Sequence, residues 1–153
     1  EQKNAISFNL SELMEELFEL TEKMALKKNI KVSGSFDKNI EIVGFKEKLG
    51  RALLNIIDNA IKYTPTKDKV EIVLKKNKYQ AVIEIKDNGI GISQKDISHI
   101  FDRFYRGSSA DKVFGSGLGL AIAKAIVISH KGEIIVKSKI GKGTTFIISF
   151  PLK

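Results

Sequence analysis

Three glycine clusters, DNGIGI at 87–92, GSGLGL at 115–120 and GKGTTF at 141–146, constrain this chain more than any other feature, because each interrupts a stretch patterned like a regular element. Glycine frees the backbone from the steric limits of a Cβ, so such clusters mark tight turns or places where the main chain closely approaches something. Ahead of them, Asn55 and Asn59 stand one helical turn apart. That order suits a polar ligand held between a helix face and several backbone turns.

The segments between the clusters have readable periods. From Leu10 to Ala25 the positions Leu10, Leu13, Met14, Leu17, Thr21 and Met24 follow one helix face, and Asn9 with Glu12 can form a capping box. IKVSGSF and IEIVGF, on either side of residues 37–39, alternate and carry β-branched residues, which predicts a short hairpin. A second helix is expected from Lys46 to Tyr63, buried along Leu49, Ala52, Leu53, Ile56, Ile57 and Ala60 and stopped by Thr64 before Pro65. VEIVLKK and AVIEIKD should pair as neighbouring strands, with Asp87 at the end of the second. Ser93 can cap a short helix through His99, and a polar loop flanked by glycines follows from Tyr105 to Ser116, a composition that predicts mobility. Leu118 to His130 is apolar on nearly every side and reads as a buried helix, while EIIVKSK and TTFIISF close the chain as two strands. The fold class is α+β: an antiparallel or mixed sheet covered on one face by three main helices.

Bulk properties exclude several functions. A length of 153 residues suits one domain spanning 1–153. The absence of cysteine removes disulfide and thiolate-metal chemistry and fits a reducing, cytoplasmic setting. No apolar run reaches the roughly 20 residues of a membrane span, and EQKNAISFNL lacks the apolar core of a signal peptide. A start at Glu1 without methionine suggests a piece of something longer. The net charge of +8, from 26 Lys and Arg against 18 Asp and Glu, raises an anionic partner. The lysines are scattered and not interleaved with aromatics, so a solvated surface is expected rather than a nucleic-acid footprint.

Candidate chemistry gathers at few positions. Asn55, Asn59 and Lys62 share a helix stripe. Two amide oxygens can complete the shell of a magnesium ion already held by phosphates, and Lys62 can meet a phosphate oxygen, although a wetted helix face explains Asn55 or Lys62 taken alone. Asp87 can accept a proton of adenine's exocyclic amine, while Gly89 and Gly91 let the backbone approach the base; a strand followed by an Asn-Gly turn is the plainer account. GSGLGL opens a helix, where free N–H groups favour phosphate, or where small residues simply pack. A Walker loop would need glycine at Val136, and a dinucleotide fingerprint would need it at Gln94 or Leu120, so neither motif is present.

Asn59 with Lys62 and Tyr63, then DNGIGI, IFDRFYRG at 100–107, GSGLGL and GKGTTF, resemble in order and spacing the N box, first glycine box, F box, second glycine box and final glycine motif of the catalytic ATP-binding domain of sensor histidine kinases. The resemblance runs from Phe8 to Leu152. It implies a Bergerat-type two-layer α/β sandwich with Mg-ATP under a flexible lid at about 102–116. It implies that Asn59, helped by Asn55, forms the catalytic magnesium site, that Lys62 and Arg106 approach phosphates, and that Tyr63 packs near the base. Asp87 would read adenine with Thr144 nearby, with Gly89, Gly91, Ile92 and Tyr105 around the nucleotide and Gly115, Gly117, Leu118 and Gly119 at its phosphates. The γ-phosphoryl group would go to a histidine on a separate helical dimerisation hairpin, absent from this sequence, and onward to a response regulator; the parent would be a membrane-bound sensor.

Relatives in the wider superfamily, including free-standing ATPases and anti-sigma serine kinases, carry a glutamate four residues before the magnesium asparagine. Here that residue is Asn55, which cannot take a proton. Phe114 replaces a glycine usual before GSGLGL, and the lid is short. His99 and His130 read as helix-end or capping residues rather than phosphoacceptors. A non-catalytic basic interaction module is the remaining rival, disfavoured by the scattered lysines and the full motif set.

Overall fold

The computed structural model describes residues 4–65, 67–105 and 119–153. Among these residues, seven strands and four helices follow in the order β1 (Ile6–Asn9), α1 (Leu10–Lys27), β2 (Lys31–Phe36), β3 (Glu41–Gly44), α2 (Lys46–Tyr63), β4 (Lys69–Lys76), β5 (Gln80–Asp87), α3 (Gln94–Ile97), α4 (Gly119–Ser129), β6 (Glu133–Lys139) and β7 (Gly143–Pro151). Five strands form a mixed sheet in the order β2-β4-β5-β7-β6, in which β2 runs parallel to β4 and the other pairs are antiparallel. Helices α1, α2 and α4 make the second layer, α2 lying between and against the other two. The expected α+β architecture, a mixed sheet with three main helices on one face, is present.

Local signals account for the element ends. The Asn9 side chain accepts the Glu12 N–H at 3.0 Å and so satisfies a donor that the first turn of α1 cannot pair internally. At the other end of α2, Thr64 turns extended (ψ 122°) ahead of Pro65. The interior is filled from both layers: Leu49, Leu53, Ile56 and Ile57 of α2 meet the inward rows Val70, Ile72 and Leu74 of β4, Ile83 and Ile85 of β5, and Ile148 and Phe150 of β7. Alternation along β4 and β5 puts Glu71 and Glu84 on the other, wetter face.

The hairpin expected from residues 30–45 does not form. Lys31–Phe36 pairs in parallel with β4, and Glu41–Gly44 pairs antiparallel with β1 in a separate two-stranded sheet. Ser11, at the start of α1, sits between them: its Oγ donates to Asp37 O at 2.6 Å and accepts the Ile40 N–H at 3.1 Å. The helix expected to be buried on nearly every side is buried along one stripe, by Ala123 and Val127, while Ile122 and Ile128 are 49% and 56% exposed. Among the described residues, α2 and β6 are the elements that pack against it most closely. The helix capped by Ser93 is one turn long, Gln94–Ile97, rather than reaching His99. Among the described residues, no helix is long and apolar enough to cross a membrane.

Candidate functional site

The C-terminal end of α2, the loop after β5 and the turn between β6 and β7 converge at one end of the sheet. Asp87 closes β5 opposite Thr144, which opens β7. Its carboxylate is 3% exposed, and Oδ1 accepts both hydrogen bonds it receives from described residues, from Gly89 N at 2.9 Å and Thr144 N at 3.2 Å. Among the described residues, Oδ2 accepts no hydrogen bond. Burial pushes the Asp87 carboxyl above the ordinary carboxylate range, and the two N–H groups offset only part of that rise.

Gly89 and Gly91 have a packing reason of their own. A Cβ on Gly89 would lie 2.3 Å from Tyr63 O, and one on Gly91, where φ is +78°, would lie 2.2 Å from Lys139 O. The loop is thus pressed between the end of α2 and the end of β6, held by Ile90 N to Tyr63 O at 3.3 Å and by Gly141 N to Ile90 O at 2.9 Å. Gly119 differs, because among the described residues nothing stands within 4 Å of where its Cβ would be.

On α2, Asn59 is 8% exposed and its side-chain amide has no hydrogen-bond partner among the described residues. Asn55, one turn earlier, is exposed. An amide oxygen placed this way fits an ion that keeps several waters and takes few protein ligands. Among the described residues, no cluster of three or more His, Cys, Asp or Glu offers a different kind of metal site. Lys62 is paired within its own helix, Nζ lying 3.0 Å from Asp58 Oδ2. Lys28 Nζ donates to Ile61 O and Lys62 O, each at 2.9 Å, and so caps the turn that carries these residues.

Two residues that the sequence did not single out organise the remainder. Asp96, buried in α3, accepts the Tyr105 hydroxyl on Oδ1 and the Ser93 hydroxyl on Oδ2 at 3.0 Å. The Tyr63 hydroxyl is held well above its ordinary pKa, first by burial and then by the Asp96 charge, so Asp96 stands near both tyrosines. Tyr105 also titrates above its ordinary value, mainly because its hydroxyl bonds Asp96. Ser138 on β6 accepts the Ile92 N–H at 2.7 Å and contacts Thr144 Oγ1 at 2.7 Å. The S-x-x-D capping pattern at 93–96 could have signalled Asp96. Nothing local signals Ser138, whose partners lie on other elements.

In the phenylalanine segment, Phe101 packs edge-on against Phe146 at 6.4 Å, while Phe104, with φ 63°, is 68% exposed. His99 is exposed, its Nδ1 lying 2.9 Å from Asp102 Oδ2 and its ring stacked on Tyr105. His130 is buried: Phe45 N donates to its Nε2 at 3.0 Å, and its Nδ1 lies 2.8 Å from Ile126 O. That arrangement defines the neutral Nδ1–H tautomer and matches the expected helix-end role. Arg106, Gly115, Gly117 and Leu118, with Phe114 and the expected lid beyond Tyr105, lie outside the described residues.

With this geometry in view, the family model for histidine kinase-, DNA gyrase B- and HSP90-like ATPases matches residues 44–153, and the chain belongs to that family. The sensor histidine kinase RppB of Synechocystis sp. is 38% identical over 146 residues, covering 94% of this chain and 31% of its own length. The sensor protein SrrB of Staphylococcus aureus is 43% identical over 107 residues, covering 69% of this chain and 18% of its own. The chain therefore spans between about a fifth and a third of these curated relatives. Among solved structures, the mycobacterial sensor histidine kinase MprB superposes with a TM-score of 0.86 at 30% identity, covering 96% of this chain and 98% of that one. The matches are thus to the ATP-binding catalytic domains of histidine kinases, whose Bergerat-type architecture this chain shares.

Proposed function

We propose that this chain binds Mg-ATP and positions its γ-phosphoryl group for a histidine on a separate helical dimerisation domain, as the kinase module of a two-component sensor. The observation that carries this reading is Asn55 one turn before the buried Asn59, whose side-chain amide has no hydrogen-bond partner among the described residues. A neutral amide cannot act as a base toward water or a hydroxyl, so these residues can hold a metal and phosphates but cannot activate a nucleophile. Bound magnesium would neutralise charge on the transferring group.

The chain's own residues supply binding and orientation. Asp87 Oδ2 accepts from the exocyclic amine of adenine, and Thr144 lies beside it. Lys62 can leave Asp58 for a phosphate, because an exposed i,i+4 pair contributes only about 0.3–0.5 kcal/mol. Arg106 and the glycines at 115, 117 and 119, with Leu118, are assigned to the phosphates, and Ile92, Tyr63 and Tyr105 to the nucleotide's surroundings. The acceptor imidazole nitrogen forms the new P–N bond as the bond from the γ-phosphorus to its bridging oxygen breaks and ADP leaves. Phosphate passes onward to a response regulator, and the parent is a membrane-bound sensor with this segment in the cytoplasm.

Incubation with γ-labelled ATP tests the reading. Alone, the domain should keep ATP nearly intact and remain unlabelled; with the parent's acceptor hairpin added, an acid-labile phosphohistidine should appear on the hairpin. Brisk phosphate release would point to a free-standing ATPase, and stable label on serine or threonine to a serine kinase. Failure to bind Mg-ATP would favour an interaction module.

A further inference from the structure

Three neighbouring strands place Asp87, Thr144 and Ser138 in one row, since Thr144 is the register partner of Asp87 on β5 and of Ser138 on β6. Directly opposed residues project from the same face of a sheet. Among the described residues, Ser138 Oγ lies within hydrogen-bond distance of three groups: Ile92 N at 2.7 Å, Gly143 O at 2.8 Å and Thr144 Oγ1 at 2.7 Å. A serine hydroxyl has one proton and two lone pairs. The Ile92 N–H can only donate, and the Gly143 carbonyl can only accept. Ser138 therefore gives its proton to Gly143 O, and Thr144 must donate its own proton to Ser138. With that proton committed, Thr144 Oγ1 has only lone pairs to offer beside Asp87 Oδ1, to which the Thr144 N–H is bonded.

We propose that Ser138 is a positioning residue that sets purine specificity: acting through Thr144, it keeps a hydroxyl acceptor-only and so rejects a base presenting a carbonyl where adenine presents an amine. The inference rests on Asp87 reading the purine, and it goes beyond that reading because a carboxylate alone leaves the neighbouring hydroxyl free to turn. A guanine carbonyl would then face the Asp87 carboxylate but could accept a bond from Thr144. With Ser138 in place, it meets acceptors on both residues. Removing the Ser138 hydroxyl frees the Thr144 proton for that carbonyl.

Calorimetric affinities of the full chain for ATP and GTP, each with magnesium, test this in the unaltered protein, Ser138→Ala, Thr144→Val and the double variant. Ser138→Ala should lower the ATP-to-GTP affinity ratio about tenfold, the effect of one gained hydrogen bond. In the Thr144→Val background the same substitution should leave the ratio unchanged, because no hydroxyl remains to turn. Ser138→Thr, which keeps the hydroxyl, should preserve the parent ratio. An unchanged ratio in Ser138→Ala, or an equal change with and without the Thr144 hydroxyl, overturns the proposal. Should Ser138→Ala fail to fold, Thr144→Val decides alone: GTP strengthened relative to ATP supports an acceptor-only hydroxyl, and GTP weakened relative to ATP overturns it. An unaltered chain binding both nucleotides equally removes the Asp87 reading and this inference together. A parent preference abolished by Asp87→Asn but untouched by Ser138→Ala removes this inference alone.

Discussion

Asp87 carries the sharpest expectation at the scale of a single residue. Asp87→Asn keeps an oxygen at Oδ1 for the Gly89 and Thr144 N–H groups and turns the other oxygen, the one proposed to meet adenine, into an amide donor. The preference for ATP over GTP should therefore vanish while the fold persists, which calorimetry and thermal melts check together. The pH dependence follows from the raised carboxyl pKa. The folded state holds the proton more readily than the unfolded chain, so stability contributed by this group is highest in acid. It declines as pH rises from about 3.9, the unfolded value, through the folded value. Melting temperatures of the parent relative to Asp87→Asn should fall across that window and level off above it; a parent that gains stability relative to the variant there would refute the assignment. Asp87 itself was legible as a strand-ending carboxylate before glycines. The reason for those glycines was not, because the atoms that a Cβ would strike, Tyr63 O and Lys139 O, lie 26 and 48 residues away in sequence, as 89 − 63 and 139 − 91.

Secondary-structure elements hold the site through contacts at their ends. Asn9→Ala should cost about 1 kcal/mol through loss of the α1 cap and leave nucleotide affinity unchanged, since Asn9 caps the end of α1 opposite to Lys28, whose Nζ bonds the turn of α2 that carries Lys62. His130 joins the end of α4 to the start of α2, and His130→Ala leaves Phe45 N without its acceptor and Ile126 O without its Nδ1–H donor. That should cost about 2 kcal/mol in urea denaturation. With both ring nitrogens occupied, His130 should take no phosphoryl label in the assay above. The segments that became β2 and β3 were recognisable as strands from alternation, but alternation specifies which side chains share a face and says nothing about the neighbouring strand. The short 37–39 connection suggested a hairpin; the Ser11 hydroxyl instead bonds Asp37 O and Ile40 N, and the two strands join different sheets. Likewise the apolar composition of α4 could not reveal that Ala123 and Val127 would be buried while Ile122 and Ile128 stay exposed.

Across the whole molecule, a net charge of +8 is spread over scattered lysines, and duplex DNA should bind only weakly, without sequence preference, at physiological salt. Submicromolar, sequence-selective binding in a mobility-shift assay would revive an interaction module. By itself the sequence determined the start of α1, both ends of α2, the strands β2 to β7, the pairing of β4 with β5, and the family, because period, capping and short turns act over a few residues and the motif spacing is carried in the chain order; β1 and the last residues of α1, Leu26 and Lys27, were not legible in it. Tertiary structure alone decided that β2 lies parallel to β4, that Asp96 stands near both Tyr63 and Tyr105, and that the Ser138 and Thr144 hydroxyls come within 2.7 Å of each other. Each of these is a contact between segments distant along the chain or on different strands, and such contacts are chosen by what the assembled sheet and helices bring within a few ångströms of one another.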